Sequence, residues 1–315
     1  MQFFDSVGDV PAGFGPSAVT IGKFDGVHLG HRRVIERLRQ EADQRGLVAT
    51  ALTFDRNPLV LLRPELAPAP LTSNAQKREL LELAGLDATL MVPFTREFSQ
   101  EAPEAFVTDI LVGALNAKVV FVGEGFRFGR RAAGSAATLR SMGAELGFEL
   151  QSIDQVEVDG GPVSSTRIRE ALLAGDIRTA IRLLGREPTL RGVVVRGEQR
   201  GRAMGYPTAN LSPQLEGFVP VDGVYAAGLA VDGRTMPAAV SIGNNPTFAG
   251  VPDKQVEAHV LDEDLDLYDR TVELAFVDYV RPMRKFDGME DLKAGIADDV
   301  RRVREIFGAA EPTPS

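Results

Sequence analysis

Two kinds of hydrophobic pattern divide the sequence, and the change between them constrains the fold more than any other feature. In the first kind, short apolar runs alternate with longer segments in which apolar residues recur every three or four positions. The apolar runs, which predict strands, cover residues 18–22, 47–54, 89–94 and 119–123, and the amphipathic segments, which predict helices, cover residues 32–45, 77–84 and 105–115. Strands separated by helices of this length predict an α/β fold, a parallel sheet with helices on both faces.

The pattern changes after a predicted hinge at residues 185–188. Short strand-like runs with turn signals between several of them then cover residues 190–195, 224–230, 238–242, 256–261 and 272–280. This pattern predicts an antiparallel barrel or sandwich. A last amphipathic helix is predicted at residues 289–307, with Gly308 as its cap. We therefore predict domains at residues 1–185 and 186–308, followed by a flexible tail at residues 309–315.

Composition excludes several functional classes. The 315 residues include no cysteine, which excludes a disulfide scaffold, a thiolate zinc site, an iron–sulfur cluster and a cysteine nucleophile. The net charge of −9, from 44 acidic and 35 basic residues, argues against nucleic-acid binding through an overall basic surface. Neither a signal-peptide pattern nor an apolar stretch of about 18 residues is found. We therefore expect a cytoplasmic protein without nucleic-acid or membrane partners.

The segment at residues 21–31 joins the first predicted strand to the first predicted helix and carries His28 and His31, two of only three histidines. Such junctions bind phosphates, because glycines let the backbone approach and the helix N-terminus offers unpaired N–H groups. We predict a nucleotide site here, formed by Gly22, Lys23, Phe24, Asp25, Gly26 and Gly30. The alternatives are a turn whose histidines cap the helix, and a metal site, which the scarcity of histidine and cysteine disfavours.

A run of hydroxyl and basic residues at 164–169 begins another predicted helix. Ser164 and Ser165 are either N-caps or ligand contacts, since hydroxyls before a helix are usually caps. Arg167 would lie in the first turn, where its charge opposes the helix dipole. An anion such as the triphosphate of ATP between the two would explain that position, and Ser165 and Thr166 are predicted to contact the nucleotide.

A second glycine-rich and basic segment, at residues 197–210, follows the first strand of the C-terminal half. This segment suits either a plain β-hairpin loop or phosphate binding by Gly197, Arg200, Gly201 and Gly205. Both interpretations stay open because no Walker motif is present. Thr208 and Asn210 favour the phosphate site. Their side chains lie two residues apart on an extended segment, so their oxygens point to one side and suit Mg²⁺ beside ATP.

These motifs together resemble a known family. The run at residues 23–31 is similar to the nucleotidylyltransferase signature in the form found in bacterial bifunctional riboflavin kinase/FAD synthetases. Segments that resemble the same family's adenylyltransferase module follow in order at residues 52–54, 77–78, 122–123, 126–129 and 163–169. The run at residues 205–210 resembles the riboflavin kinase signature, with further matches at residues 223–226, 242–248, 256–259, 267–268 and 281–286. The resemblance extends from about residue 18 to residue 307.

The resemblance implies a Rossmann-like nucleotidylyltransferase domain followed by a riboflavin kinase barrel with a terminal helix. It implies that ATP phosphorylates riboflavin to FMN with Mg²⁺, and that a second ATP adenylylates FMN to FAD, in a monomer or weak homo-oligomer. The implied catalytic residues are His28, His31, Arg167 and Glu257, and the implied flavin-binding residues are Phe54, Phe126, Phe128, Tyr225 and Arg281. From spacing alone, Glu257 and His259 would be a solvated pair on the barrel exterior.

Three positions depart from the family pattern. Asn57 stands where a histidine is common, Gly125 where an acid or amide is usual, and Glu263 where phenylalanine is typical. The first two bear on adenylyl transfer. The alternatives are therefore a riboflavin kinase with weakened or lost adenylyltransferase activity, a flavin- or nucleotide-binding regulator, and a nucleotidyltransferase for another substrate fused to an unrelated barrel.

Overall fold

A computed structural model describes residues 1–123, 125–197, 205–243, 254–263 and 265–308. The chain divides into two compact units, Met1–Ser165 and Thr166–Ser315. The predicted tail at residues 309–315 lies outside the described residues, as do Arg200 and Gly201. In the part of the chain that is described, no helix has the length and apolar character needed to cross a membrane.

The first unit is built on a six-stranded sheet in which every neighbouring pair is parallel. The strand order is β1-β4-β3-β2-β5-β8. These strands are β1 Gln2–Phe4, β2 Ser17–Ile21, β3 Val48–Phe54, β4 Ala88–Val92, β5 Ala117–Gly123 and β8 Glu149–Ile153. Every residue of β2 and β4 is buried, as expected for central parallel strands covered on both faces. The α/β prediction is confirmed.

Helices cover the two faces of this sheet. They are α1 Leu29–Arg45, α2 Leu59–Leu62, α3 Asn74–Leu83, α4 Pro103–Ala105 with the π-helix Phe106–Ala114, and α5 Ala136–Leu146. Ile35 and Leu38 of α1 pack with Leu81 of α3 in one apolar layer, and the π-helix and α5 pack in the other. Short paired strands complete the unit, namely β6 Arg127–Phe128 with β7 Gly134–Ser135, and β9 Glu157–Val158 with β10 Gly161–Pro162.

The second unit contains a closed antiparallel barrel, one of the two forms that the sequence predicts. The barrel order is β11-β12-β15-β14-β13-β16. Its strands are β11 Thr189–Val195, β12 Ala209–Leu211, β13 Gly223–Val231, β14 Arg234–Gly243, β15 Gln255–Val260 and β16 Thr271–Arg281. The helices α6 Ser165–Leu173 and α7 Ile177–Leu184 precede it, and α8 Met289–Phe307 follows it. Val300 and Val303 of α8 pack on Ala226 of the barrel, and Gly308 ends the helix in the left-handed conformation, as predicted.

Candidate active sites

The loop between β2 and α1 has an unusual backbone. Phe24, Gly26 and Val27 have φ angles of 48°, 81° and 38°, and two of these residues carry side chains that disfavour the left-handed region. The side chains of Phe24 and Val27 are buried in the core against α1. Packing therefore holds a strained loop in one shape, a property that is common where backbone N–H groups must be aimed at a ligand. The side-chain contacts of Phe24 are those of a core residue.

His28 and His31 lie at the end of this loop. His28 is the N-cap of α1, and its Nδ1 accepts a hydrogen bond from the backbone N–H of His31 at 3.4 Å. The two rings stack with centroids 3.7 Å apart and an interplanar angle of 13°. Gly30 leaves room for this stack, since a Cβ there would lie 3.2 Å from the His28 ring. His28 therefore caps the helix, as one of the alternatives for this segment proposes. This cap explains why α1 begins at Leu29 rather than at the predicted Arg32.

His31 has the environment of a functional imidazole. Its Nδ1 is buried and makes no hydrogen bond, which is rare for a buried polar atom. Burial first, and then the nearby charges of His28 and Lys77, hold the pKa of His31 well below its usual value. The imidazole is therefore neutral at pH 7 in the ligand-free protein.

A charged cavity lies beside the loop. Lys23 and Asp25 line it with residues that follow β3 and that begin α3, namely Asp55, Arg56, Asn57, Thr72, Ser73, Asn74 and Lys77. Lys77 is buried, and its Nζ donates to the backbone carbonyl of Phe54 at 2.9 Å. Lys77 and Asp55 are missed as site residues by sequence reasoning. Two signals in the sequence point to Lys77, namely the resemblance of residues 77–78 to the family pattern and the position of this lysine on the helix face that also carries buried Leu81.

Ser165 connects the start of α6 to the same loop. Its Oγ donates to the backbone carbonyl of Asp25 at 3.0 Å, while the Asp25 carboxylate accepts the backbone N–H of Leu71 at 2.8 Å. Thr166 and Arg167 follow in the first turn of α6, as predicted. The structure thus brings Ser165 to the loop that carries the predicted nucleotide-binding residues.

The three phenylalanines predicted to bind flavin belong to one aromatic cluster at the carboxyl end of the parallel sheet. Phe126 stacks on Phe128 with centroids 5.6 Å apart, and Phe128 contacts Phe106 at 5.4 Å. Phe98 continues the cluster from Phe106 to Phe54, with centroid distances of 6.3 and 5.9 Å. Phe54 and Phe126 are partly exposed, so the cluster offers flat apolar surface to a planar ligand.

In the second unit, pairing between strands assembles the predicted residues. Asn210 on β12 lies directly opposite Glu257 on β15, so the two side chains project from the same face of the sheet. A Cβ on Gly197 would lie 2.5 Å from the Asn210 side chain, so glycine is needed for this close approach. Thr208 lines a cavity with Glu263 and Tyr268. Gly205 has a φ of 87°, which favours glycine.

The face that carries Glu257 is only partly solvated. His259 makes a 2.8 Å hydrogen bond through Nδ1 to the carbonyl of Pro207, and its ring contacts Tyr206 edge-on at 5.4 Å. Burial lowers the pKa of His259 despite this hydrogen bond. His259 is therefore a packed residue that supports the Pro207–Thr208 segment, unlike the solvated pair that spacing alone predicts.

Comparison with known proteins identifies the family. Family models for FAD synthetase and riboflavin kinase match residues 12–167 and 184–307, respectively. The bifunctional riboflavin kinase/FMN adenylyltransferase of Escherichia coli K12 is 38% identical over 295 residues, covering 93% of this chain and 94% of that protein. The chain belongs to the bifunctional riboflavin kinase/FMN adenylyltransferase family. Both activities, each of which uses ATP, are those predicted from the sequence.

Other members and a solved structure agree with this assignment. The family member from Listeria monocytogenes is 36% identical over 294 residues, covering 93% of each chain. A Streptococcus pneumoniae protein described as a macrolide-efflux protein has a crystal structure that matches with a TM-score of 0.85 and 30% identity. That match covers 96% of this chain and 98% of the other, so the fold of both units recurs there.

The departures from the family pattern have local explanations. The side chain of Asn57 accepts the backbone N–H of Leu59 at 3.0 Å and so supports the start of α2. Gly125 has a φ of 72°, and a Cβ placed there would meet nothing within 4 Å. Glu263 pairs with Arg234 at 3.0 Å.

Two of the flavin-binding residues implied by the family resemblance make hydrogen bonds to other residues of the protein. Tyr225 is fully buried in the barrel, where its hydroxyl donates to the carbonyl of Val221 and burial raises its pKa. Arg281 makes two hydrogen bonds, of 2.7 and 2.6 Å, to the carboxylate of Asp299 on α8. Their contact with flavin stays a prediction.

Proposed function

We propose that the loop between β2 and α1 is where the FMN adenylyltransferase of this family member carries out its reaction. An oxygen of the FMN phosphate attacks the α-phosphorus of ATP, the bond to the bridging oxygen of the β-phosphate breaks, and pyrophosphate leaves. His28, His31 and Arg167 stabilise charge on the transferring and leaving phosphates. The observation that carries this proposal is the stacked pair of histidines at the N-terminus of α1, in which the Nδ1 of His31 is buried and makes no hydrogen bond.

The nucleotide and the flavin have separate contacts in this proposal. The nucleotide is bound by Gly22, Lys23, Phe24, Asp25, Gly26 and Gly30 of the loop, and by Ser165 and Thr166 of α6. Phe54, Phe126 and Phe128 bind the flavin ring, since the aromatic cluster lies at the carboxyl end of the sheet where open α/β folds take ligands. Nucleotidyl transfer needs positioning and charge neutralisation rather than a protein nucleophile.

In the barrel, we propose that Glu257 is the general base for riboflavin phosphorylation. Glu257 takes the proton of the ribityl 5′-hydroxyl, whose oxygen attacks the γ-phosphorus of ATP, and ADP leaves. The phosphates are bound by Gly197, Arg200, Gly201 and Gly205. The flavin is bound by Tyr225 and Arg281. The cross-strand pairing of Asn210 with Glu257 supports this assignment, because the two side chains project from the same face of the sheet.

Mg²⁺ fits the residues of this site. Among the described residues there is no group of three or more His, Cys, Asp or Glu that could hold a metal, so a site with few protein ligands is needed. Thr208 and Asn210 supply neutral oxygens, and Mg²⁺ is usually held by one or two protein ligands plus substrate phosphates. When bound, the ion neutralises charge on the ATP phosphates.

We further propose that the two functional modules meet near residue 185, because the riboflavin kinase model begins at residue 184 and the FAD synthetase model ends before it, at residue 167. We also propose the cytoplasmic location that the sequence predicts and the monomeric or weakly oligomeric state that the family resemblance implies.

Incubation of the purified protein with riboflavin, ATP and Mg²⁺ tests the proposed function. FMN should appear first and FAD second, with one ADP and one pyrophosphate released per FAD. Formation of neither product would refute both reactions. Formation of FMN alone would show that the departures at Asn57 and Gly125 abolish adenylyl transfer.

A further inference from the structure

The buried lysine of α3 has no role in the adenylyl transfer as proposed. Lys77 is 6% exposed, on the helix face that also buries Gln76 and Leu81. Burial lowers its pKa, while the carboxylates of Asp25 and Asp55 act in the opposite direction. A buried ammonium is costly unless specific partners compensate it. A residue needed only to fill space would be apolar, so the charge itself requires an explanation.

The partners of Lys77 belong to the two halves of the proposed adenylyl-transfer site. Its Nζ donates to the carbonyl of Phe54, whose ring lies in the aromatic cluster. Asp25 belongs to the loop between β2 and α1, which we call the phosphate loop; it lines the same cavity as Lys77 and accepts the N–H of Leu71 at 2.8 Å. Asp55 follows Phe54 directly, and its carboxylate accepts the N–H of Phe94, another ring of the cluster, at 2.8 Å. Lys77 thus bonds to the flavin end of the proposed site and lies in one cavity with a residue of its nucleotide end.

We propose that Lys77 is a positioning residue for FMN adenylylation, which holds the end of β3 in register with the phosphate loop so that FMN and ATP are aligned. This inference rests on the proposed adenylyl-transfer site. Alignment matters because small displacements of reacting groups cause large losses of rate. Lys77 does not touch the reacting atoms in this proposal; it acts through Phe54 and Asp25.

The role of Lys77 is tested by comparing substitutions at two neighbouring positions of α3. Lys77→Met removes the buried charge and its hydrogen bond, and we expect kcat/KM for FMN to fall about 10- to 100-fold, the range for loss of a buried charged hydrogen bond. Arg78→Met is the matched control, since Arg78 is on the same helix but pairs with Asp5 and stacks on Phe3 at the surface. It should leave FAD formation within about twofold of the wild type. Riboflavin kinase activity of the same preparations reports the integrity of the second unit.

A conservative variant and a titration separate positioning from folding. Lys77→Arg keeps the charge and a donor, and should recover most of the activity lost in Lys77→Met. Burial lowers the pKa of His31 most, and the charges of His28 and then Lys77 lower it further. This pKa, followed by NMR in a chain with only three histidines, should therefore rise in Lys77→Met and not in Lys77→Arg. The titration shows whether the charge is lost or kept, and a role in filling space alone would give neither the loss of activity in Lys77→Met nor its recovery in Lys77→Arg.

The outcomes distinguish the inference from the function on which it rests. FAD formation by wild type with unchanged kinetics in Lys77→Met would overturn the role of Lys77 alone. Equal losses in Lys77→Met and Arg78→Met, or no recovery in Lys77→Arg, would overturn it as well. A wild-type protein that makes no FAD would overturn both.

Discussion

The two units assemble their candidate sites in different ways. In the first unit, ten consecutive residues at 22–31 supply a strained loop, a helix N-terminus and a stacked histidine pair. In the barrel, Asn210 and Glu257 are 47 positions apart in sequence and become neighbours only through the register of β12 and β15. A local motif predicts its own geometry, whereas a site built by strand register depends on the whole sheet. Substitutions should therefore separate the two chemistries cleanly.

The largest effect is expected at the proposed base of the kinase. Glu257→Gln removes the proton acceptor, and riboflavin phosphorylation should slow by about 10²- to 10⁴-fold, the usual contribution of a general base. FAD formation from supplied FMN should stay unchanged. Glu273→Gln is the control, since Glu273 is a barrel carboxylate paired with Arg191. A regulator that only binds flavin would instead show altered flavin affinity in Glu257→Gln and no turnover in the wild type or the variant.

A smaller effect is expected in the aromatic cluster. Phe54→Leu keeps an apolar side chain but loses the ring, and KM for FMN in adenylyl transfer should rise by roughly 2- to 10-fold, the value of an aromatic contact beyond area burial. Steady-state assays with varied FMN measure this change. KM for riboflavin in the kinase reaction should not move, and an equal rise in both constants would contradict separate flavin sites.

The pH dependence of stability should differ between wild type and a His31 variant. The pKa of His31 is low in the folded protein, so below about pH 6.5 the unfolded chain binds a proton that the folded chain does not, and stability decreases as the pH falls. This imidazole should contribute a loss of about 1.4 kcal/mol at most per pH unit. Thermal unfolding at pH 7.5 and 5.5 should show a smaller loss in His31→Gln. Identical losses in the two proteins would contradict the buried neutral imidazole.

The smallest effect is expected at Gly125. Gly125→Asn restores an amide where the family usually has an acid or amide, and asparagine tolerates the left-handed conformation better than most residues. Because the site is open, stability should change by less than about 0.5 kcal/mol. Because a side chain at this position meets no neighbouring atom, we also expect the rate of FAD formation to rise by less than about threefold, which corresponds to roughly 0.7 kcal/mol in the activation barrier. A tenfold rise in a continuous assay would show that this departure weakens adenylyl transfer.

Much of the fold follows from periodicity. The predicted α8 at residues 289–307 matches its observed bounds, because its apolar spacing and its C-cap at Gly308 agree. The strand β12 is missed because Ala209–Leu211 is too short to show a period and is defined by its neighbours. Lys77 is missed for a similar reason: the carboxylates that compensate its charge come from distant parts of the chain. Sequence patterns report local preference, and these features depend on tertiary contacts.

The central claim is that one chain carries two separable ATP-dependent chemistries, and a reciprocal pair of variants tests it most directly. His31→Ala should reduce FAD formation by at least about 100-fold and leave FMN formation intact, since one unit loses a group that stabilises transition-state charge. Asn210→Ala should reduce FMN formation and leave adenylylation of supplied FMN intact. Both rates, measured for each variant from the same preparation, should show this crossed pattern. Loss of both activities in both variants would contradict the two-site account.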